Sequence, residues 1–289
     1  MKSSKKTVKL KMAEALSAFG FLAPWLIGLV AFSLIPVFYS LYLSFHEVVM
    51  SPDGIKTTFI GLMWYREALQ ADVTYIPSLL DTLKFIVLSV PMILVAALLI
   101  SLLLNGKYRG RVFFRALFFF PVIIISGPVV NELISSDAAK IISGDSYGII
   151  TFLEAMPAVL SAPLMYIYEN IVLILWFSGV QIVIFLAGLQ KIGTPIYEAA
   201  SIDGASKWQI FWKIILPFLQ PMMLLNAIYT VVELSAFSNN AVNREIVNKM
   251  TLTGKVYGYS AALSWLYFIT LAAVLITVFL LFRKRRERY

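Results

Sequence analysis

The chain contains no cysteine and a single histidine, His46, among its 289 residues. Disulfides, thiolate metal centres and cysteine nucleophiles are therefore excluded, and one histidine cannot build a histidine metal cluster or a histidine-dependent triad. No glycine-rich phosphate loop of the GxxxxGK[ST] type is present either. We therefore expect no catalytic residue, no metal site and no cofactor bound by this chain, so any ATP must be hydrolysed by another protein.

Charged residues are also scarce. They make up 14% of the chain, against 60% hydrophobic residues and a mean hydropathy of +0.84. Soluble domains are only about 45–50% apolar, so a soluble fold is excluded. The net charge of +8 comes from basic clusters that alternate with apolar stretches, as in the cytoplasmic loops of membrane proteins. This pattern predicts contact with anionic lipids and no nucleic-acid partner.

Six apolar stretches are long enough to cross a bilayer core, which requires about 20 residues per helix. They are residues 19–44, 79–104, 113–134, 166–189, 216–238 and 257–282. Prolines at positions 24, 36 and 91 lie inside two of them, which membrane helices tolerate. The predicted fold is an all-α integral membrane protein with six transmembrane helices.

The basic clusters also predict the orientation. An even number of spans places both ends on one side, and the positive charge assigns that side to the cytoplasm. The predicted organisation is a basic N-terminal segment (1–18), a transmembrane domain (19–282) and a basic tail (283–289). The segments expected outside, 45–78, 135–165 and 239–256, are too short to hold a nucleotide-binding domain.

The loop between the fourth and fifth predicted spans begins with helix-start signals. Thr194 before Pro195 is typical of a helix N-terminus, with threonine as the N-cap and proline at the first helical position. Glu198 lies in the first turn, where the helix dipole favours a negative charge. A short helix is therefore predicted on the cytoplasmic side.

This helix is predicted to end at Asp203-Gly204, because glycine permits a sharp turn and aspartate can hydrogen-bond to the local backbone. Ser206 can cap a second helix that leads to Pro217. These signals alone fit either an amphipathic helix at the membrane interface or a contact surface for another protein.

The run Glu198-Ala199-Ala200-Ser201-Ile202-Asp203-Gly204-Ala205, with Leu216-Pro217 downstream, resembles the EAA motif of type I binding-protein-dependent ABC importer permeases. The form Glu-Ala-Ala-x-x-Asp-Gly-Ala is similar to the carbohydrate branch, the maltose-permease-like subunits. The resemblance implies that the bent pair, at about 194–216, docks in a groove of a cytoplasmic ATPase. The residues expected to couple the two proteins are Glu198, Ala199, Ala200, Asp203, Gly204, Ala205, Leu216 and Pro217.

The resemblance further implies a transport subunit rather than an enzyme. It would form half of a pathway for a sugar or oligosaccharide in a bacterial or archaeal cell membrane. The implied partners are a second homologous permease, two ATPase subunits that bind ATP and magnesium, and an external sugar-binding protein. The chain lacks the large external domain of some maltose permeases, so maltose in particular is not predicted.

Polar residues within a span are costly and therefore mark candidate pathways. In the fifth span such residues recur every three or four positions on one helical face, and Phe177 of the fourth span could join them. The candidate substrate-binding residues are Asn226, Tyr229, Thr230, Glu233, Phe237 and Phe177. The alternative is that they form hydrogen bonds between helices.

A secondary transporter of a small polar solute is the alternative function. Such transporters show broken helices and internal repeats, and the sequence contains no clear repeat. A membrane enzyme would need acids, histidines or metal ligands clustered at one interface, and none is visible.

Overall fold

The structure is a computed structural model that describes residues 19–51, 54–106, 113, 147–251 and 256–283. The chain forms two compact units, Met1–Ile76 with Glu245–Phe268 and Pro77–Arg244 with Ile269–Tyr289. Helices dominate the described ranges, which confirms the predicted helical architecture.

The first part of the chain contains α1 (Phe19–Ser44), β1 (His46–Ser51), β2 (Gly54–Phe59), α2 (Met63–Gln70) and α3 (Tyr75–Asn105). After residue 146 come α4 (Tyr147–Glu154), α5 (Ala158–Phe177), α6 (Gly179–Gln190) and α7 (Thr194–Ile202). Helix α8 begins with Lys207–Ile210, continues through a π-helical turn at Phe211–Ile215 and ends with Leu216–Phe218. The last helices are α9 (Gln220–Ala236), α10 (Ala241–Thr251) and α11 (Val256–Arg283).

Five of the predicted spans have counterparts among these helices. Four apolar helical stretches are long enough to span a membrane: α1 (Phe19–Ser44), α3 (Tyr75–Asn105), α9 with α10 (Gln220–Thr251) and most of α11 (Tyr257–Phe282). The bent pair Leu164–Phe177 and Gly179–Leu189, counted as one span, supplies a fifth. The predicted span at 113–134 lies outside the described residues except for Phe113. The total of six therefore stays a prediction.

The fourth predicted span is broken rather than continuous. Its two helices, α5 and α6, meet at Ser178 at an angle of 65°. The hydroxyl of Ser178 donates a hydrogen bond of 2.8 Å to the carbonyl of Leu175, and Gly179 follows. A serine–glycine pair is a known cause of sharp helix bends, so the sequence contained a signal for this break.

Proline is accommodated inside the spans, as predicted. Helix α3 continues through Pro91, and α1 contains a π-helical turn at Val30–Leu34 just before Pro36. The turn at Phe211–Ile215 likewise precedes Pro217. Because a proline ring clashes with the carbonyl four residues earlier, a wider turn at that point relieves the contact.

One element departs from the all-α prediction. Strands β1 and β2 form an antiparallel hairpin whose register runs from His46 opposite Phe59 to Ser51 opposite Gly54. Valines in β1 and threonines in β2 are β-branched residues that favour strands. Hydropathy does not reveal this hairpin, because neither of its six-residue strands is a long apolar stretch.

A buried carboxylate connects α2, α10 and α11 within the first unit. The side chain of Asp72 is 6% exposed and accepts hydrogen bonds from the amide of Thr74 at 2.9 Å and from the hydroxyl of Tyr259. The ammonium of Lys249 lies 3.1 Å away. Burial alone would raise the pKa of Asp72, but the hydrogen bonds from Thr74, Tyr259 and Lys249 outweigh burial and hold the pKa well below its usual range.

We expect Asp72→Asn to lower the thermal midpoint at pH 7, because hydrogen bonds to a charged group contribute about 1.5–3 kcal/mol. Since the folded pKa is depressed, the contribution is complete above the unfolded pKa of about 3.9 and is lost as the pH falls below it. Thermal denaturation in detergent across a pH series measures both effects. The exposed Asp81→Asn, which removes a 3.5 Å surface pair with Lys84, is the matched control. Equal midpoints for the two variants at pH 7 would contradict the prediction.

Candidate functional site

The EAA-like run forms a helix end followed by a sharp turn. Gly204 has φ +74°, so it occupies the left-handed region that side chains disfavour. The amide of Ala205 donates to the carbonyl of Ala200 at 2.9 Å, and the amide of Gly204 donates to Ser201 at 3.1 Å. This pair of bonds is a Schellman motif. The predicted break at Asp203-Gly204 is confirmed.

The chain then re-enters a helix at a capping box. The amide of Gln209 donates to the hydroxyl of Ser206 at 3.3 Å, and the amide of Ser206 donates to Oε1 of Gln209 at 2.8 Å. The predicted Ser206 cap is therefore confirmed. The predicted Thr194 cap is wrong: Gly193 is the N-cap, with no side-chain hydrogen bond, and Thr194 is already helical. We call residues 194–210 the elbow.

Most of the elbow is exposed. Glu198, Ala199, Asp203 and Gly204 are exposed, whereas Ala200, Ala205, Leu216 and Pro217 are half-buried. Large apolar side chains on the elbow are exposed too, Ile202 by 85% and Trp208 by 70%. Ile202 lies inside the motif but is not among the predicted coupling residues. An exposed bend that carries apolar side chains is typical of a surface that contacts another protein.

The elbow is packed against the rest of the second unit through a buried core. The core contains residues of α3, α6 and the start of α9, with Tyr197 of the elbow packed against it. Helix α6 approaches closely at Gly188, where an added Cβ atom would lie 2.7 Å from Cδ2 of Leu219 and 2.9 Å from Cγ of Met222. Glycine at this position therefore sets the distance between α6 and the entry to α9.

We expect Gly188→Val to lower the thermal midpoint of the chain in detergent, because overpacking a core costs about 1–3 kcal/mol. Gly28→Val is the matched control, since nothing lies within 4 Å of a Cβ atom built at Gly28. The close-packing interpretation is wrong if the two variants unfold at the same temperature.

A cluster of polar side chains lies between α6 and α9. Nε2 of Gln181 donates to Oγ1 of Thr230 at 2.9 Å and to Oε2 of Glu233 at 3.0 Å. Nδ2 of Asn226 donates to the backbone carbonyl of Gln181 at 3.2 Å, and Thr230 donates to the carbonyl of Asn226 at 2.7 Å. We call Gln181, Asn226, Thr230 and Glu233 the polar cluster.

The candidate substrate residues are not equally accessible. Asn226 and Thr230 have no exposed surface, so in this conformation they form hydrogen bonds between helices, which was the alternative interpretation. Glu233 is half-buried and Tyr229 is 37% exposed. Phe237 packs edge-to-face on the buried Phe177, with ring centroids 5.3 Å apart. The accessible groups for a ligand are therefore Glu233, Tyr229 and Phe237.

Gln181 is not among the candidate substrate-binding residues named above, yet it forms more hydrogen bonds within the cluster than any of them. Its Oε1 atom and Oδ1 of Asn226 are buried and have no hydrogen-bond partner within the described ranges. Buried polar atoms without partners are uncommon and require an explanation.

Comparison with known proteins identifies relatives along most of the chain. No family model matches. The chain is 28% identical to the "Probable ABC transporter permease protein YesP" of Bacillus subtilis, over 92% of this chain and 90% of the relative. It is 30% identical to the multiple sugar-binding transport system permease protein MsmF of Streptococcus mutans, over 75% and 78%. The trehalose/maltose transport system permease protein MalF of Thermococcus litoralis is 28% identical, over 78% and 76%.

The fold is also similar to that of a solved transporter. A bacterial ABC transporter involved in the import of the acidic polysaccharide alginate has a chain with a TM-score of 0.67. The match covers 97% of this chain and 100% of that chain at 18% identity. The fold described above is therefore that of an ABC importer permease.

Proposed function

Because this chain belongs to the ABC transporter sugar permeases, we propose that it forms half of an ATP-driven import pathway for a neutral sugar or oligosaccharide. Family membership makes it a transport subunit rather than an enzyme. It also favours this function over the secondary transporter, because ABC transporters are driven by ATP. The remaining half of the pathway would be a second, homologous permease.

The exposed elbow is the main structural support for this function. Its Schellman motif and capping box fix a rigid bend, and its outer surface displays Ile202 beside the acidic Glu198. We infer that this bend inserts into a groove of a cytoplasmic ATPase, with Ala199 and Ala200 allowing close approach. The ATPase pair would bind ATP and magnesium, and the elbow and both chain termini would then lie in the cytoplasm.

The proposed substrate follows from the groups near Glu233. Carboxyl groups and tyrosine hydroxyls hydrogen-bond to sugar hydroxyls, and the rings of Tyr229 and Phe237 offer apolar faces. Several relatives carry sugars in their names, including trehalose/maltose and arabinooligosaccharides. A carboxyl group at Glu233 suits an uncharged saccharide better than an acidic one. An external binding protein would deliver it.

Purification of the tagged chain from its native membranes tests the proposal. We expect a stable complex with a second permease and two ATPase subunits. In proteoliposomes, uptake of labelled trehalose, maltose or arabinotriose should then require ATP and the external binding protein. Recovery of the chain alone, with uptake driven by a sodium or proton gradient, would overturn the proposal in favour of a secondary transporter.

A further inference from the structure

Helix α6 connects the elbow to the polar cluster. Gln181 lies one turn after the bend at Ser178, and the helix ends at Gln190, shortly before the elbow begins at Thr194. A helix of 12 residues is about 18 Å long. A displacement of the elbow can therefore be transmitted to the polar cluster through α6 alone. The opposite end of α6 is the bend at Ser178.

The elbow end of α6 is held tightly. Gly188 is in close contact with Leu219 and Met222. Leu189 and Ile192 are buried in the same core against which Tyr197 of the elbow packs. The elbow, α6 and the start of α9 are therefore packed together and are expected to move together.

At the other end, the connection between α6 and α9 is polar. The side-chain amide of Gln181 donates one hydrogen bond to Thr230 and one to Glu233. The reverse amide orientation would place a carbonyl oxygen against the carboxyl group of Glu233, and the Thr230 proton is already donated to Asn226. The orientation with Nε2 facing Glu233 therefore follows from the network.

We propose that Gln181 is a positioning residue for transport. Its hydrogen bond to Glu233 holds that part of α9 against α6, so that movement of the elbow is transmitted to Glu233. This inference rests on the proposed function. Without Gln181, α6 would still move with the elbow, because the contact at Gly188 remains. The part of α9 around Glu233 would no longer follow that movement.

If Gln181 served only to stabilise the fold, its replacement would lower the thermal midpoint. Gln181 leaves its own Oε1 atom buried without a partner in the described part of the chain, and an apolar side chain of similar size would remove that unfavourable atom. Asn226 would keep its bond to the backbone at position 181, and Thr230 would keep its bond to Asn226. The variant also removes the donor to the half-buried Glu233, and the gain from removing Oε1 offsets that loss. Gln181→Leu is therefore expected to change the thermal midpoint little while it impairs transport.

The transport test uses the complete complex in proteoliposomes with whichever of trehalose, maltose or arabinotriose wild type transports best. For Gln181→Leu we expect the sugar molecules transported per ATP hydrolysed to fall by about tenfold, equivalent to about 1.4 kcal/mol. Gln190→Leu makes the same chemical change at an exposed position of α6 and should match wild type. Unchanged transport per ATP in Gln181→Leu would overturn the inference.

Exchanging donor and acceptor separates the hydrogen bond from side-chain packing. Gln181→Glu alone places two carboxyl groups together and should impair transport. Combined with Glu233→Gln, it restores one amide–carboxylate bond in the opposite direction, so the double variant should transport more per ATP than Gln181→Glu. No recovery would count against the inference.

A distance measurement is independent of the sugar. Val183 of α6 and Val232 of α9 are exposed, and the chain contains no cysteine. Val183→Cys and Val232→Cys therefore provide two unique attachment sites for spin labels. In the complex with wild-type Gln181, the two labels should give one narrow distance distribution, both without nucleotide and with ADP–vanadate. When Gln181→Leu is added, the distribution should become broader. An equally narrow distribution in that variant would overturn the inference and leave the proposed function untouched. If the wild-type complex lacks ATP-dependent uptake, the proposed function fails as well.

Discussion

Gly204→Pro is expected to abolish ATP-dependent uptake while the chain still inserts into the membrane. Proline fixes φ near −65°, whereas Gly204 has φ +74°. It also lacks the amide that donates to Ser201. The turn must therefore adopt another path, which redirects Glu198 relative to the helix that starts after Ser206. Uptake in proteoliposomes and the amount of chain in the membrane fraction measure the two effects.

Gly204→Asn is the control for this variant, because asparagine tolerates the left-handed region at low cost. A Cβ atom at this position meets nothing within 4 Å, so any effect of Gly204→Asn within this chain is conformational. We expect Gly204→Asn to retain most of the uptake. Full uptake by Gly204→Pro would refute the coupling role of the elbow.

Glu233→Ala is expected to reduce uptake or alter which sugar is transported. The variant removes an accessible carboxyl group from the fifth span and the acceptor that holds Gln181 at 3.0 Å. Loss of a hydrogen bond to a charged group corresponds to about 1.5–3 kcal/mol, or roughly 10- to 100-fold in uptake at limiting sugar. Uptake measured over a range of sugar concentrations separates weaker binding from slower transport.

Glu154→Ala provides the same substitution at an exposed position at the end of α4. It should leave uptake unchanged. If Glu233→Ala shows the kinetics of wild type for every sugar tested, Glu233 does not belong to the substrate site.

The elbow could be predicted from the sequence because its signals are local. The turn at Gly204 and the cap at Ser206 depend on residues no more than five positions away. The Thr194 cap failed by one residue because Gly193 and Thr194 both suit a helix start. The bend at Ser178 could have been found too, since its signal is a serine–glycine pair.

The role of Gln181 could not be predicted in this way. Its partner Glu233 lies 52 positions away, and the contact exists only because α6 and α9 pack side by side. A periodic pattern indicates which residues share a face of one helix, but not which neighbour that face meets. For the same reason, Asn226 and Thr230 could not be distinguished from pathway residues before the packing was known.

The Schellman motif and capping box of the elbow bear on how the protein is made. Every hydrogen bond in them joins residues that are close together in the chain, and such contacts form in microseconds or less. Residues 194–210 are synthesised before the fifth span. The elbow can therefore take its final shape before the fifth span has entered the membrane.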